Sequence, residues 1–278
     1  MKRFPYIHLI LFILTFISTL VAGSLFQKGI NIIAEPWRII EGLPFSLSLM
    51  IILLGHELSH YIASKIHHTH ATLPYFIPAP SLIGTFGAFI KMKSPIVTRK
   101  ALIDIGASGP IAGFALSVAA SSIGLKLSSV VSVSETKGGL GLGDSILFSL
   151  LSRLILGITP DGYDILLHPI AFAGWIGLFV TSLNLIPVGQ LDGGHIAYAF
   201  LGAGHILLSR ILVGLLLVFG ILFWEGWLIW AVLMVILGLR HPPVIYWEMP
   251  LDRRRILTGI IAMIIFIITF IPTPFKIW

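Results

Sequence analysis

Long apolar runs constrain the fold of this 278-residue chain most strongly, because several approach the roughly 20 residues that a helix needs to cross a bilayer. Hydrophobic residues make up 56% of the chain and charged residues only 11%, which excludes an ordinary soluble domain. The hydropathy pattern predicts membrane spans at about 6–26, 43–63, 101–124, 168–187, 206–223, 226–240 and 256–271. We therefore predict one all-α polytopic membrane domain over residues 1–278, with about six to seven transmembrane helices.

The segment 206–240 leaves two alternatives open, because only Trp224, Glu225 and Gly226 interrupt its apolar run. It forms either a tight helical hairpin or one long tilted helix. The first run also has two readings. A cleavable signal peptide would end near 21–24, but the run is long for one, so a retained span is favoured.

The basic residues alternate between rich and poor connectors, which indicates orientation. The rich connectors precede the first predicted span and lie between spans two and three and between spans six and seven; they hold Lys2, Arg3, Lys65, Lys91, Lys93, Arg99, Lys100, Arg240 and Arg253 to Arg255. This positive-inside pattern predicts a cytoplasmic N-terminus in a plasma or inner membrane. It assigns the net charge of +6 to topology and contact with the lipid bilayer rather than to nucleic acid.

The sequence His56-Glu57-Leu58-Ser59-His60 lies inside the second predicted span and has the HExxH pattern. Residues four apart share one face of a helix, so His56 and His60 can bind one zinc ion while Glu57 activates a water. A metal-binding group at membrane depth is costly and is by default a functional hypothesis. The chain has no cysteine, so zinc here must use histidine and carboxylate ligands.

The segment 184–195, with the sequence NLIPVGQLDGGH, closes the fourth predicted span. Pro187 removes a helix donor and predicts a break in that helix. Unwound backbone at membrane depth is tolerated only inside protein or beside a cavity, which places Asp192 near a polar pocket. With His56 and His60, Asp192 would complete the three protein ligands of a catalytic zinc. Asp192 could instead be a helix cap or an ordinary turn residue, because Asp-Gly is a common turn pair.

These two motifs together resemble the site-2 protease family of intramembrane zinc metalloproteases, which pairs a transmembrane HExxH with a later NxxPxxxLDGG segment. The resemblance implies one zinc per chain, held by His56, His60 and Asp192, with Glu57 as the catalytic acid and base. It also implies that Asn184 lies at the active site and contacts substrate or an oxyanion. Asn184 could equally satisfy backbone carbonyls freed beside Pro187.

The resemblance covers about residues 43–200 and includes two glycine-containing stretches. One, from Gly106 to Gly113, lies on the third predicted span. The other predicts a small membrane-associated β element near 84–93 that would pair with unwound substrate through Gly84, Thr85, Phe86, Gly87, Ala88 and Phe89. That stretch, with no PDZ or CBS module expected, is most similar to the branch that includes the plant chloroplast EGY-type members. The alternative for 84–93 is a plain interfacial segment.

Three further segments carry weaker expectations. His67, His68 and His70 would form either a second metal site or a solvated cytoplasmic loop, which is favoured. The glycine- and serine-rich run 128–143 predicts a flexible outer loop. The stretch 144–157 predicts a short interfacial or re-entrant helix rather than a span, with Asp144 as a candidate N-cap.

The sequence thus predicts a zinc metalloendopeptidase that performs intramembrane proteolysis of single-span membrane substrates, with its active site toward the cytoplasmic side. Two other classes stay open at this point. One is a multi-span cation transporter, in which the buried histidines and aspartate would bind a cation in transit. The other is a catalytically silent, zinc-binding membrane scaffold.

Overall fold

The computed structural model describes residues 5–26, 33–132 and 140–277, and helices dominate these ranges. The helices are α1 Tyr6–Leu25, α2 Leu43–Ile66, α3 Arg99–Lys126, α4 Ile146–Leu156, α5 Pro169–Asn184, α6 Asp192–Leu201, α7 His205–Leu222, α8 Gly226–Leu237 and α9 Arg253–Thr269. A 3-10 helix, Pro36–Gly42, leads directly into α2. The predicted all-helical character is therefore confirmed for most of the described chain.

Four helical segments in the described residues are long and apolar enough to cross a membrane: Tyr6–Leu25, Pro36–Ile66, Arg99–Lys126 and Asp192–Leu222. The first three coincide with the first three predicted spans, and the fourth joins α6 and α7. Helices α5 and α8 have only 16 and 12 residues. These lengths show a membrane protein with four candidate spans, and the count of six to seven stays a prediction.

The segment 206–240 forms a helical hairpin. Helix α7 ends at Leu222 and α8 begins at Gly226, and a Cβ at Gly220 would overlap the Leu228 side chain across the two helices. The far ends meet at Gly189, whose N–H donates to Ser209 Oγ on α7 at 3.3 Å. A Cβ at Gly189 would overlap the carbonyl oxygen of Gly238, just after α8. One long helix could not bring both of its ends to the same residue.

In the described ranges, three two-stranded antiparallel sheets lie between the helices. Strand β1 Tyr75–Pro78 pairs with β2 Thr85–Phe89, β3 Ser129–Ser132 pairs with β5 Tyr163–Leu166, and β4 Leu140–Leu142 pairs with β6 Phe275–Ile277. The predicted β element near 84–93 is confirmed over β2.

The prediction of a flexible loop over 128–143 is wrong at both ends. The β-branched pair Val130 and Val131 lies opposite Ile165 and Asp164 in the β3–β5 ladder, and β4 also lies within the predicted loop. The rest of that prediction, 133–139, falls outside the described residues.

The short helix predicted at 144–157 is present as α4, but its N-cap is not Asp144. Ser145 is the N-cap, and its Oγ accepts a hydrogen bond from the Phe148 N–H at 3.1 Å. Asp144 and Ser145 are both residue types that cap helices, and the helix begins one residue later than predicted, so Ser145 takes the N-cap position.

Helix α3 lies at the centre of the fold and packs against α2, α5 and α6. Small residues allow these close contacts. Gly174 of α5 faces Ser121 of α3, and a Cβ at Gly174 would lie 2.5 Å from the Ser121 nitrogen. Without a strong hydrophobic drive between helices in lipid, such small-residue contacts permit the van der Waals packing that holds them together.

Helix α1 supports the β1–β2 hairpin at both ends. Ser18 Oγ donates to the carbonyl of Gly84 at 2.6 Å, and the His8 ring nitrogen Nδ1 lies 3.1 Å from the carbonyl of Pro74. Gly84 has φ +79°, and a Cβ there would lie 2.6 Å from Thr19 Cα. Glycine at this position therefore permits both the turn and the contact with α1.

Candidate metal centre

Three side chains from two distant segments converge between α2, α3 and α6. His56 and His60 lie four residues apart on α2, and Asp192 is the first residue of α6. Asp192 Oδ2 lies 3.2 Å from Nε2 of each histidine, and the two Nε2 atoms are 3.1 Å apart. In the ranges that the structure describes, this is the one group of three side chains placed to hold a metal ion.

The spacing of the three donor atoms fits zinc. Zinc binds imidazole nitrogen and carboxylate oxygen at about 2.0–2.2 Å with tetrahedral geometry, which places neighbouring ligand atoms about 3.3 Å apart. The observed edges of 3.1–3.2 Å are close to that value. The donors are also shielded, since the side chains of His56 and Asp192 are 6% and 17% exposed.

A backbone carbonyl fixes the orientation of His60. Its Nδ1 lies 2.7 Å from the carbonyl oxygen of Ile105 on α3. A carbonyl only accepts hydrogen bonds, so Nδ1 carries the proton and Nε2 presents its lone pair to the centre. This is the outer contact that commonly sets the tautomer of a metal-binding histidine.

Glycines on α3 make room for the centre. A Cβ at Gly109 would overlap the His60 imidazole, and one at Gly113 would lie 2.8 Å from His56 Nδ1. A Cβ at Gly106 would lie 3.1 Å from the backbone oxygen of Asp192. The Gly106–Gly113 stretch therefore forms a flat face of α3 on which both imidazoles and the start of α6 rest.

The backbone that carries Asp192 is unwound and buried, as the sequence predicts. Helix α5 ends at Asn184, three residues before Pro187, and residues 185–189 are buried. Gly189 adopts φ +57°, a left-handed conformation that glycine accepts without strain. Asn184 Nδ2 lies 3.4 Å from His56 Nε2, so the structure brings Asn184 to the edge of the centre.

Glu57 is buried beside the three donors but is not one of them. It lines a cavity of about 110 Å³ together with His56, Asn184 and Trp230. The Glu57 carboxylate also interacts with the backbone N–H of Ile90, just beyond β2. Glu57 is therefore placed to contact a small molecule in the cavity rather than to bind the metal.

The predicted strand residues divide into two groups. Phe86, Gly87 and Ala88 line the cavity beside Glu57. The others support the hairpin: Gly84 contacts α1, Thr85 Oγ1 donates to the carbonyl of Ile77 at 2.8 Å, and Phe89 stacks on Tyr75.

His67 takes part in a network of polar contacts around Asp104. Its Nε2 lies 2.7 Å from Asp104 Oδ2 on α3, and the same carboxylate accepts a hydrogen bond from Arg255 Nε at 2.9 Å. This network ties the end of α2 to α3 and α9. The contact accounts for His67 without a second metal ion.

Sequence reasoning missed two features near the centre. Trp230 of α8 closes one side of the cavity, and no motif marks it. His195 Nδ1 lies 2.6 Å from His241 Nε2, which is 46 residues away in the chain. Burial lowers the pKa of His241 to about 4, so this contact joins His195 to a neutral ring at neutral pH. A pairing over that distance leaves no local pattern in the sequence.

Comparison with known proteins finds matches over the part of the chain that holds the centre. The sequence model of peptidase family M50 matches residues 44–224, which include all the residues of the centre. "Probable zinc metalloprotease EGY1, chloroplastic" of Oryza sativa subsp. japonica is 39% identical over 160 residues, 56% of this chain and 27% of that protein. "Probable zinc metalloprotease EGY2, chloroplastic" of Arabidopsis thaliana is 29% identical over 240 residues, 84% of this chain and 42% of that protein.

This chain spans between 27% and 42% of the length of these two relatives. No solved structure matches it.

The contact between Gly109 and His60 yields a test of the centre. Replacing Gly109 by Ala places a methyl group against the His60 ring and should tilt it away from the other donors. Because changes next to a ligand typically cost about 10- to 100-fold in metal affinity, we expect a loss of that size for G109A. Zinc titration with a competing chelator in detergent measures it.

The matched control is Gly214→Ala, at a helical glycine whose added Cβ would meet nothing within 4 Å. It should keep wild-type affinity. Equal zinc affinity in both variants would show that the α3 face does not support the centre.

Proposed function

The chain belongs to peptidase family M50, and we propose that it is an intramembrane zinc metalloprotease that cuts single-span membrane proteins within or near the bilayer. The convergence of His56, His60 and Asp192 beside Glu57 carries this proposal. All four lie in helical segments that are long and apolar enough to cross a membrane. A peptide bond cut at this centre would therefore be at or close to membrane depth.

We assign one zinc ion per chain to His56, His60 and Asp192. Three protein ligands leave the fourth position open, as catalytic rather than structural zinc sites do. When bound, zinc would polarise the scissile carbonyl and make a water more acidic. Asp192 brings one negative charge to the centre, which partly offsets the charge of the metal in a buried site.

Glu57 is assigned the proton transfers. From the cavity wall it can accept a proton from the attacking water and later return it to the leaving amine. Asn184 lies on the same cavity and can donate a hydrogen bond to the oxygen of the scissile carbonyl as negative charge develops there. A cation transporter offers no obvious role for Glu57, which lines the cavity but is not one of the three metal donors.

Strand β2 is assigned the presentation of substrate. A transmembrane helix hides its carbonyls in hydrogen bonds, so it must unwind before hydrolysis. Strand β1 occupies one edge of β2, while Phe86, Gly87 and Ala88 line the cavity beside Glu57. An extended substrate segment could add to the other edge through backbone hydrogen bonds.

We further propose one membrane-embedded domain over residues 1–278 with six to seven spans in a plasma or inner membrane, and a cytoplasmic N-terminus. A single buried cluster extends from Ala22 to Ile271, which supports one domain. The short α5 is almost wholly buried by other helices, so it can cross within the protein without matching the thickness of the bilayer.

Cysteine labelling tests the proposed orientation at two exposed positions, Lys93 and Ile158. Lys93→Cys should react with a membrane-impermeant reagent only from the cytoplasmic side, and Ile158→Cys only from outside. The reverse pattern would overturn the orientation.

Glu57→Gln tests the catalytic assignment. The amide keeps the size of the side chain but cannot accept the proton, so zinc content and fold should persist while cleavage falls by about 10²–10⁴-fold. Turnover of a single-span substrate in proteoliposomes is the measurement. Glu225→Gln, at an exposed glutamate in the α7–α8 turn, is the control and should keep full activity.

A Glu57→Gln protein that retains near wild-type turnover would remove Glu57 from the mechanism. A wild-type protein that holds zinc but cleaves no membrane substrate would instead favour the silent scaffold.

Proline substitution tests the role of β2. Phe86→Pro and Ala88→Pro each remove one backbone donor. Residues two apart in a regular strand point their donors to the same edge, but β2 is irregular here: Gly87 has φ +97° and the register with β1 shifts, so the two donors need not share an edge. We expect one of the two to reduce cleavage strongly with unchanged zinc content. Phe86→Ala is the control, because it removes the ring and keeps the donor.

The proline variants should lose less cleavage activity on a substrate with Gly or Pro near the cut, since the helix of that substrate already unwinds readily. Full activity of both proline variants on both kinds of substrate would show that β2 does not present the substrate.

A further inference from the structure

A groove of about 400 Å³ lies between the first turns of α7 and the segment that follows α8. It is separate from the cavity beside Glu57. Its polar lining residues are Gln190, Arg210 and Arg240, and its apolar wall includes Ile206, Val235 and Leu237. The groove is therefore basic where the two arginines lie and apolar along the wall beside them.

The two arginines are exposed and open to a ligand. Within residues 5–26, 33–132 and 140–277, neither guanidinium has a hydrogen-bond or ion-pair partner. Arg210 also lies in the candidate span Asp192–Leu222, where a charged residue is by default a functional hypothesis. A guanidinium presents its N–H donors in a planar fork that matches phosphate oxygens.

The apolar wall continues onto the outer surface of the hairpin. Val235 and Leu237 are 57% and 58% exposed. In a membrane protein such a surface faces the hydrocarbon of the bilayer. An occupant that fills the groove thus needs a phosphate at the arginines and an apolar chain along the hairpin.

We propose that this groove binds an anionic phospholipid, with its phosphate between Arg210 and Arg240 and an acyl chain against Val235 and Leu237. Gln190 can donate a further hydrogen bond to the headgroup. In the orientation proposed above, this end of the hairpin lies at the headgroup level of the cytoplasmic leaflet, where anionic lipids are abundant.

The groove is mechanically linked to the metal centre. Gln190 lies two residues before Asp192, and the adjacent Gly189 is held by Ser209 of α7 and packs on Gly238. A bound lipid would contact α7, the end of α8 and this loop together. It would therefore stabilise the loop that carries Asp192, and this second step rests on the proposed function.

Lipid binding itself is tested in the Glu57→Gln background, so that the outcome does not depend on catalysis. Purified protein is titrated with phosphatidylglycerol or with phosphatidylcholine of the same acyl chains, and bound lipid is counted by native mass spectrometry. Each guanidinium–phosphate contact should contribute about tenfold in affinity. The double variant R210Q/R240Q should thus lose about 100-fold for phosphatidylglycerol, while phosphatidylcholine binding stays unchanged.

The double variant R253Q/R254Q is the control, since it removes the same two charges from exposed arginines outside the groove. It should bind phosphatidylglycerol like the parent protein. Unchanged zinc content in all variants verifies that the centre is still folded. Equal loss in the control and in R210Q/R240Q would mean that the net charge, not the groove, attracts the lipid, and would overturn the proposal.

Two further outcomes would also overturn it. If inorganic phosphate displaces the lipid at millimolar concentration, the groove is a site for free anions. If R210Q/R240Q keeps its lipid but, with Glu57 restored, loses cleavage only of substrates with an acidic cytoplasmic tail, the groove is a substrate site.

Discussion

The structure depends on bringing one carboxylate and two imidazoles together in a buried place inside a membrane protein. Asp192 contacts both histidines at 3.2 Å, and none of the three has free access to water. A buried carboxylate without a partner costs several kcal/mol, so the contact with the histidines and a metal is what makes Asp192 tolerable there. The glycine face of α3 and the Ile105 carbonyl serve this convergence, because both act directly on the histidines.

Two non-helical segments lie beside the metal centre, strand β2 and the loop before Asp192. Each is held by a hydrogen bond to a neighbouring helix. Ser18 of α1 binds the carbonyl of Gly84, where β2 begins. Ser209 of α7 binds the N–H of Gly189, just before the loop reaches Asp192. Unwound backbone in a membrane protein must have its polar groups hydrogen-bonded within the protein. Ser18 and Ser209 each provide one such hydrogen bond, to Gly84 and to Gly189. The same two contacts help to position strand β2 and the loop that carries Asp192.

The sequence predicted those parts of the fold that depend on local pattern. The HExxH spacing requires only that α2 be helical, and the break after α5 follows from Pro187 and its glycine neighbours. The three protein ligands that a catalytic zinc needs, in a chain without cysteine, together with the family resemblance, joined Asp192 to the histidines across more than 130 residues, which spacing alone cannot do. The apolar runs located the helices, although the lengths of α5 and α8 could not be read from hydropathy.

Features that rest on distant pairing were not predictable in this way. The ladder of β3 with β5 joins residues more than 30 apart, so 128–132 had the composition of a loop although Val130 and Val131 pair in a sheet. Trp230 reaches the cavity only because α7 and α8 fold back as a hairpin. The contact between His195 and His241 also depends on this hairpin, because the hairpin lies between the two residues in the chain. In each case the partner, not the local sequence, decides the structure.

X-ray absorption at the zinc edge of the purified, metal-loaded protein tests the central claim most directly. It reports the kind, number and distance of the atoms bound to zinc. We expect one zinc per chain with two imidazole nitrogens and carboxylate or water oxygen at about 2.0–2.2 Å, and loss of one imidazole in His60→Ala. A spectrum without two imidazoles, or one that His60→Ala and Asp192→Ala leave unchanged, would contradict the assigned centre.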